Sequence, residues 1–328
     1  MIRTRLYTAI TLLAILVLGL WLLTQGDYRV PLGDVLASLT GSEGGLGSYF
    51  VREVRAPRVV AALLVGAALG ISGAIFQTLT GNPLGSPDVI GFTTGAATGA
   101  LVSIILLGST PLGTGLGAVL GGAATSLLVY LFTRRTGLIG FQLILVGLGL
   151  GATLSALNSL MIVRASLTEA QTAASWLVGS LNTMTWDKVL LMSSLLVLLL
   201  PFLVWLSRPL RALIFGDTVA TGVGVPVPLV RLASLVIGVL LVSVATAVTG
   251  PIAFVALASP HLARHLTGQS AGNLGTAAST GALLTLASDA LGLYAFPAPL
   301  QVGVVTGALG GLYLIYLMYR SRNEVAHD

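Results

Sequence analysis

The sequence predicts an all-α polytopic membrane protein, and three observations carry that prediction. Of the 328 residues, 55% are hydrophobic and only 8% are charged. A soluble domain has about 25% charged residues, so this chain lacks the polar surface to face water all round. Several apolar stretches also exceed the roughly 18–20 residues needed to cross a bilayer. Charge and Pro/Gly breaks divide the chain into ten candidate helices, near 6–24, 57–79, 89–107, 113–133, 138–163, 188–207, 229–248, 251–266, 274–293 and 300–319. One transmembrane domain, 1–328, is expected.

The first run follows Arg3 and Arg5 as a signal peptide would, but no small-residue cleavage site follows it. It reads as a retained first helix. The second and fifth contain "LLVGAALGISGAIF" and "LVGLGLGATLSAL", in which small residues recur at spacings of three and four. Such stripes let helix backbones approach closely in a membrane.

Between the second and third runs lies "QTLTGNPLGSPDVIGFTTGAATGA". Pro83 and Pro87 forbid a continuous helix there, so the freed backbone groups need protein or a wet cavity to satisfy them. A plain turn is the simpler reading. The sixth run ends in "SRPLRALIFGDTVATGVGVPVPLVR", residues 207–231, which is long for a connector. Its amphipathic stretch Leu213–Val219 predicts a short surface helix. The eighth run is short for a span and reads as steep or re-entrant.

Ten crossings put both termini on one side. Arg3, Arg5, Arg134, Arg135, Arg208, Arg211, Arg231, Arg264, Arg320 and Arg322 share that side; Arg29, Arg52, Arg55, Arg58, Arg164 and Lys188 lie on the other. The bias favours cytoplasmic termini. The net charge of +5 thus reflects topology, and nothing resembles a nucleic-acid-binding patch.

Several chemistries are excluded or unsupported. With no cysteine, there are no disulfides and no thiolate sites. Lys188 is the only lysine and stands outside any phosphate-cradling loop, so the chain is not an ATPase by that route. His261 and His265 share a helix face without a third ligand, and Arg264 between them argues for a satisfied helix end; His327 is remote. No metal site, no Gly-x-Ser-x-Gly elbow and no enzyme are expected. Asp289 is the one intramembrane carboxylate, which is too little for ion coupling, so an energy source outside the chain is expected.

Four segments then carry a resemblance. "VRAPRVVAALLVGAALGISGAIFQTLTGNPLGSPDVIGFTTGA", "FGDTVATGVGV", "GPIAFVALASPHLARHLTG" and "LQVGVVTGALGGLYLIYLMYR" follow one another in the order and spacing of the iron-siderophore, haem and vitamin B12 permeases. The chain resembles this FecCD-like family of ABC importers from about residue 30 onward, most of all its ferric-enterobactin-type subunits. The resemblance implies a type II ABC importer permease fold and a bacterial inner-membrane location. It implies a second permease chain, two ATPase subunits carrying the ATP and Mg, an extracytoplasmic binding protein, and a ferric siderophore as cargo. No cofactor in this chain is implied.

By the same resemblance, Arg55 and Arg58, with Arg52 assisting, receive carboxylates of the binding protein; an interfacial anchor is the simpler alternative. Asn82, Pro83 and Leu84 form a cytoplasmic gate. Gly216, Asp217 and Gly222, within a coupling segment 208–228, meet the ATPase. Gln77, Thr93 and Thr94 are expected along the pathway. Two departures stand out: no arginine follows Asp289, and the acidic residue expected before the last helix is replaced in "PAPLQVG". Both suit a heterodimer with unequal docking sides. The alternatives are a vitamin B12 or haem permease of the same family, or an ion-coupled secondary transporter without an ATPase.

Overall fold

A computed structural model describes residues 2–41, 45–108, 110–134, 140–268 and 272–325. Arg135 and His327 lie outside the described residues. Those residues form helices and turns, and the long apolar runs become α1 (Ile2–Thr24), α4 (Ala56–Thr80), α6 (Pro111–Thr133), α7 (Gly140–Arg164), α9 (Trp186–Leu213) and α11 (Val227–Thr249). These six are long and apolar enough to span a membrane, α4 as part of a continuous helical run from Leu46.

The remaining runs are shorter or more polar. The third becomes α5 (Phe92–Leu101) with a π-helical extension to Leu106; the eighth is α12 (Val255–Thr267), the ninth α13 (Leu274–Tyr294) and the tenth α14 (Val302–Val325). Four short elements lie between them: α2 (Leu32–Thr40), α3 (Leu46–Tyr49), α8 (Leu167–Leu177) and α10 (Asp217–Gly222).

Three boundaries differ from expectation. Helix α9 continues past residue 207 to Leu213 and carries Pro201 and Pro209 inside it. Neighbouring helices in a membrane bundle re-satisfy the backbone groups that proline frees. The surface helix begins at Asp217 rather than Leu213, because Gly216 at φ 96° breaks the chain immediately before it. Helix α12 begins four residues late, after Phe254, the one non-glycine residue with positive φ among those described.

The centre of the bundle is α4 with α11. Of their apolar windows 67% is buried, against 28% or less for α1, α6, α7 and α9, which leave apolar sides exposed. Phe76 of α4 and Phe92 of α5, both fully buried, pack at 5.2 Å between ring centres.

The small-residue stripe of α4 fixes a register. A Cβ on Gly66 would stand 2.3 Å from Gly281 O, and one on Gly70 would stand 2.2 Å from Ala277 O. Helices α4 and α13 therefore meet backbone to backbone, and antiparallel. Eight residues back from Gly66 is Arg58, and eight residues on from Gly281 is Asp289, so this contact places the two side chains opposite each other.

Candidate functional site

At one end of the bundle, the π-helical segment Phe50–Arg55 leads into α4 and delivers the three arginines. Each has an acceptor within the chain. Arg52 Nε donates to Ser38 O at 2.5 Å, fastening α2 to the segment. Trp186 Nε1 at the start of α9 donates to the carbonyl of Arg52 at 2.9 Å. Arg55 Nη1 donates to Leu23 O at 2.8 Å and Nη2 to Tyr28 O. Leu23 lies in the last turn of α1, where carbonyls have no helical partner. Gly26, at φ 142°, makes room: a Cβ there would stand 2.7 Å from Arg55 Nη2.

Arg58 makes a two-pronged ion pair. Its Nε donates to Asp289 Oδ2 and its Nη2 to Asp289 Oδ1, both at 2.8 Å. The Asp289 side chain is 2% exposed and that of Arg58 is 18% exposed. Planar guanidinium and carboxylate match in this geometry. The lone intramembrane carboxylate is thus a structural partner of α4. Sequence reading had both residues but not the pair, and the signal was the matched small-residue spacing on the two helices.

The opposite end holds the broken segment and the surface helix. After α4, Gly81 turns the chain at φ 61°. Asn82 Oδ1 accepts from the Leu84 amide and its carbonyl from the Gly85 amide, both at 2.9 Å. Ser86 O accepts from Ile90 N, Asp88 O from Gly91 N and Pro87 O from Phe92 N. The segment therefore satisfies part of its freed backbone within itself. Pro83 and Leu84 are exposed, whereas Ser86 and Pro87 are buried. Asp88 Oδ1 accepts from the Thr93 hydroxyl. Burial pushes this carboxyl above the usual range, against the Thr93 hydroxyl and the Phe254 backbone amide that hold it down.

The surface helix α10 is tied to this end. Arg231 Nη2 pairs with Asp217 Oδ1 at 2.8 Å, and Arg231 Nη1 donates to Leu79 O at 3.2 Å. One guanidinium therefore joins the first residue of α10 to the last turn of α4, three residues before Asn82. Around α10, Phe215, Val219 and Val223 are exposed at four-residue spacing, while Ala220 packs inward. Gly216 and Gly222 bound the helix and carry no side chain of their own to contribute.

Of the residues expected along the pathway, Gln77 lies in the last turn of α4, and Thr93 and Thr94 lie in the first turn of α5. Gln77 is 3% exposed, with Nε2 donating to Leu257 O and Oε1 accepting from Arg264 Nη2, both at 3.0 Å. It bridges α4 and α12 instead of lining open space. Arg264, expected at a helix end, is its cross-helix partner. Thr93 is committed to Asp88, and Thr94 is half-buried. His261 Nδ1 meets Tyr313 Oη on α14. No group of metal-ligating side chains occurs among the described residues.

Six helices long and apolar enough to cross a membrane define an all-helical membrane protein. The chain belongs to the FecCD transport family, whose profile matches residues 12–320. It is 45% identical to the ferric enterobactin transport system permease protein FepG of Escherichia coli, over 95% of this chain and 94% of that one. It is 36% identical to the achromobactin transport system permease protein CbrC of Dickeya dadantii, over 96% of this chain and 92% of that one. A solved structure described as an inward-facing metal-chelate type ABC transporter matches with a TM-score of 0.83 at 28% identity, covering 95% of this chain and 98% of the other.

Proposed function

We propose that this chain is a permease subunit of an ATP-driven importer that carries ferric siderophores across the bacterial inner membrane, its termini cytoplasmic. The observation that carries the reading is the Asp217–Arg231–Leu79 connection beneath an exposed apolar helix. Phe215, Val219 and Val223 offer a partner ATPase an apolar face, and Arg231 passes displacement of α10 to the segment 82–84, the cytoplasmic gate. Family membership and the siderophore permeases among the relatives support the cargo class. A second permease chain, two ATPase subunits and a binding protein complete the assembly.

The binding protein would meet the end that carries Arg52, Arg55 and Arg58. Because Asp289 already neutralises Arg58 and carbonyls occupy Arg55, incoming carboxylates exchange with internal acceptors rather than meeting bare cations. Such a contact is salt-sensitive.

The test uses the reconstituted complex in proteoliposomes. Asp217→Asn and Arg231→Gln are expected to raise the ATP hydrolysed per ferric siderophore delivered, with assembly intact. In the same vesicles, Arg55→Glu weakens binding-protein retention most at low salt. An unchanged ATP-to-cargo ratio in both coupling variants would reject the coupling role, and transport without ATP would reject the importer reading.

A further inference from the structure

Helices α6 and α9 both pack against α11 and leave between them a half-open groove of about 660 Å³. Leu112 and Leu116 of α6 and Leu191 and Leu198 of α9 line it and are each more than half exposed, whereas Val244 of α11, in its floor, is buried. Both walls belong to helices long and apolar enough to cross a membrane. The groove is therefore a lengthwise slot in the side of the bundle. From Lys188 to Leu198 its α9 wall is about 15 Å long at 1.5 Å per residue. That is half of a hydrocarbon core about 30 Å thick, or the depth of one leaflet.

The charged groups of the lining gather at one end. Asp187 and Lys188 stand in the first turn of α9, just after Thr185. Trp186 between them is exposed, and tryptophan favours the level of lipid headgroups. Lys188 Nζ donates to Thr183 O at 2.9 Å and to Thr183 Oγ1 at 3.2 Å, which orients the ammonium and leaves one of its three N–H groups. Asp187 is exposed and forms no ion pair among the described residues. The two charges, adjacent in sequence, are not spent on each other. Further along the slot, Ser194 gives its hydroxyl hydrogen to Leu191 O at 2.9 Å, which keeps that stretch apolar in effect.

We propose that this slot is a specific site for a phospholipid whose headgroup carries both a phosphate and a primary ammonium, as phosphatidylethanolamine does. One acyl chain lies along the leucines, the phosphate accepts from the remaining Lys188 N–H, and the headgroup ammonium donates to the Asp187 carboxylate. An acid beside a base complements a zwitterion. An anionic headgroup lacking the ammonium satisfies Lys188 but is repelled by Asp187, and a choline headgroup has no N–H for the carboxylate; both are selected against. Lipid tails are as apolar as leucine, so moving one from the bilayer into the slot gains little by itself. Selectivity therefore comes from the charged mouth, and the slot supplies the fit. The site needs only a chain that spans a membrane, whatever its cargo.

The experiment takes the full-length chain with the subunits that accompany it from its membrane, delipidated in mild detergent. Phosphatidylethanolamine, phosphatidylglycerol or phosphatidylcholine of matched acyl chains is added back, and native mass spectrometry reads the lipids retained and their relative affinities. Wild type is expected to hold phosphatidylethanolamine about tenfold tighter than either of the others, the scale of one charge-assisted hydrogen bond. Asp187→Asn removes the preference over phosphatidylglycerol while that lipid is still bound. Lys188→Gln weakens both lipids about tenfold, and Lys188→Arg keeps most of the affinity, which guards against a folding artefact. Ser194→Trp fills the slot without touching its charged mouth and lowers retention of every headgroup.

Equal retention of the three lipids by wild type, or retention of none, overturns the proposal. So does an Asp187→Asn variant that keeps the preference, or a Ser194→Trp variant that keeps full lipid retention. If Ser194→Trp instead sheds a companion subunit with lipid counts unchanged, the slot belongs to a protein–protein contact and the lipid site is refuted.

Discussion

Removing one member of the Arg58–Asp289 pair should cost more than removing both. Replacing Arg58 by alanine strands a carboxylate that is 2% exposed, with neither water nor a counter-charge. Breaking a buried pair in this way costs about 3–5 kcal/mol. Asp289→Ala strands instead a guanidinium that is 18% exposed. Its long side chain can turn toward water, so the cost falls below about 3 kcal/mol. Arg58→Leu with Asp289→Leu replaces the ions by apolar side chains in an apolar setting and should return to within about 1 kcal/mol of wild type. The assay is thermal inactivation of the nanodisc-embedded complex, followed by the fraction that remains monodisperse on size exclusion. The expected order, from least to most stable, is Arg58→Ala, Asp289→Ala, then the double variant. An Arg58→Ala variant as stable as wild type, or a double variant worse than either single one, would refute the claim that the pair is a buried, mutually dependent unit.

Two further outcomes follow from the packing and the broken segment. Gly66→Val would drive a side chain into the Gly281 carbonyl, which a Cβ already approaches to 2.3 Å; overpacking of about 1–3 kcal/mol is expected, read as a lower inactivation temperature with loss of complex yield. Asp88 gives a pH dependence. Its folded carboxyl titrates above the ordinary range because burial disfavours the charge, so its contribution to stability is full below the unfolded value and is lost as pH rises through the raised folded value. Wild type should therefore gain stability relative to Asp88→Asn on acidification through that window, and a flat difference across it would contradict the burial argument.

Much of this was legible in the sequence because a bilayer makes few demands and makes them locally. Apolar runs, their breaks and the arginine bias are properties of contiguous residues, and α1, α4, α6, α7, α9 and α11 fall where hydrophobicity placed them. The family segments are also contiguous, which is why fold and family could be read from them. Short elements were harder. Helices α2 and α8 lie between spans, in stretches with no long apolar run, and α9 crosses a proline at which sequence reasoning stopped.

By itself, then, the sequence determined that this chain is a helical membrane permease, which segment is broken and which connecting loop is long. Composition, helix length and proline position act on the residues that carry them. The tertiary structure decided which residues meet. Arg58 finds Asp289 across 231 positions of chain, Gln77 finds Arg264 across 187, and Arg231 finds Leu79 across 152. Those partnerships depend on how helices are turned and how closely glycine lets them approach. Tertiary packing thus made Arg58 half of a buried pair and Gln77 a bridge. Helix orientation is a property of the whole bundle, since each interface constrains the others, and no local pattern contains it.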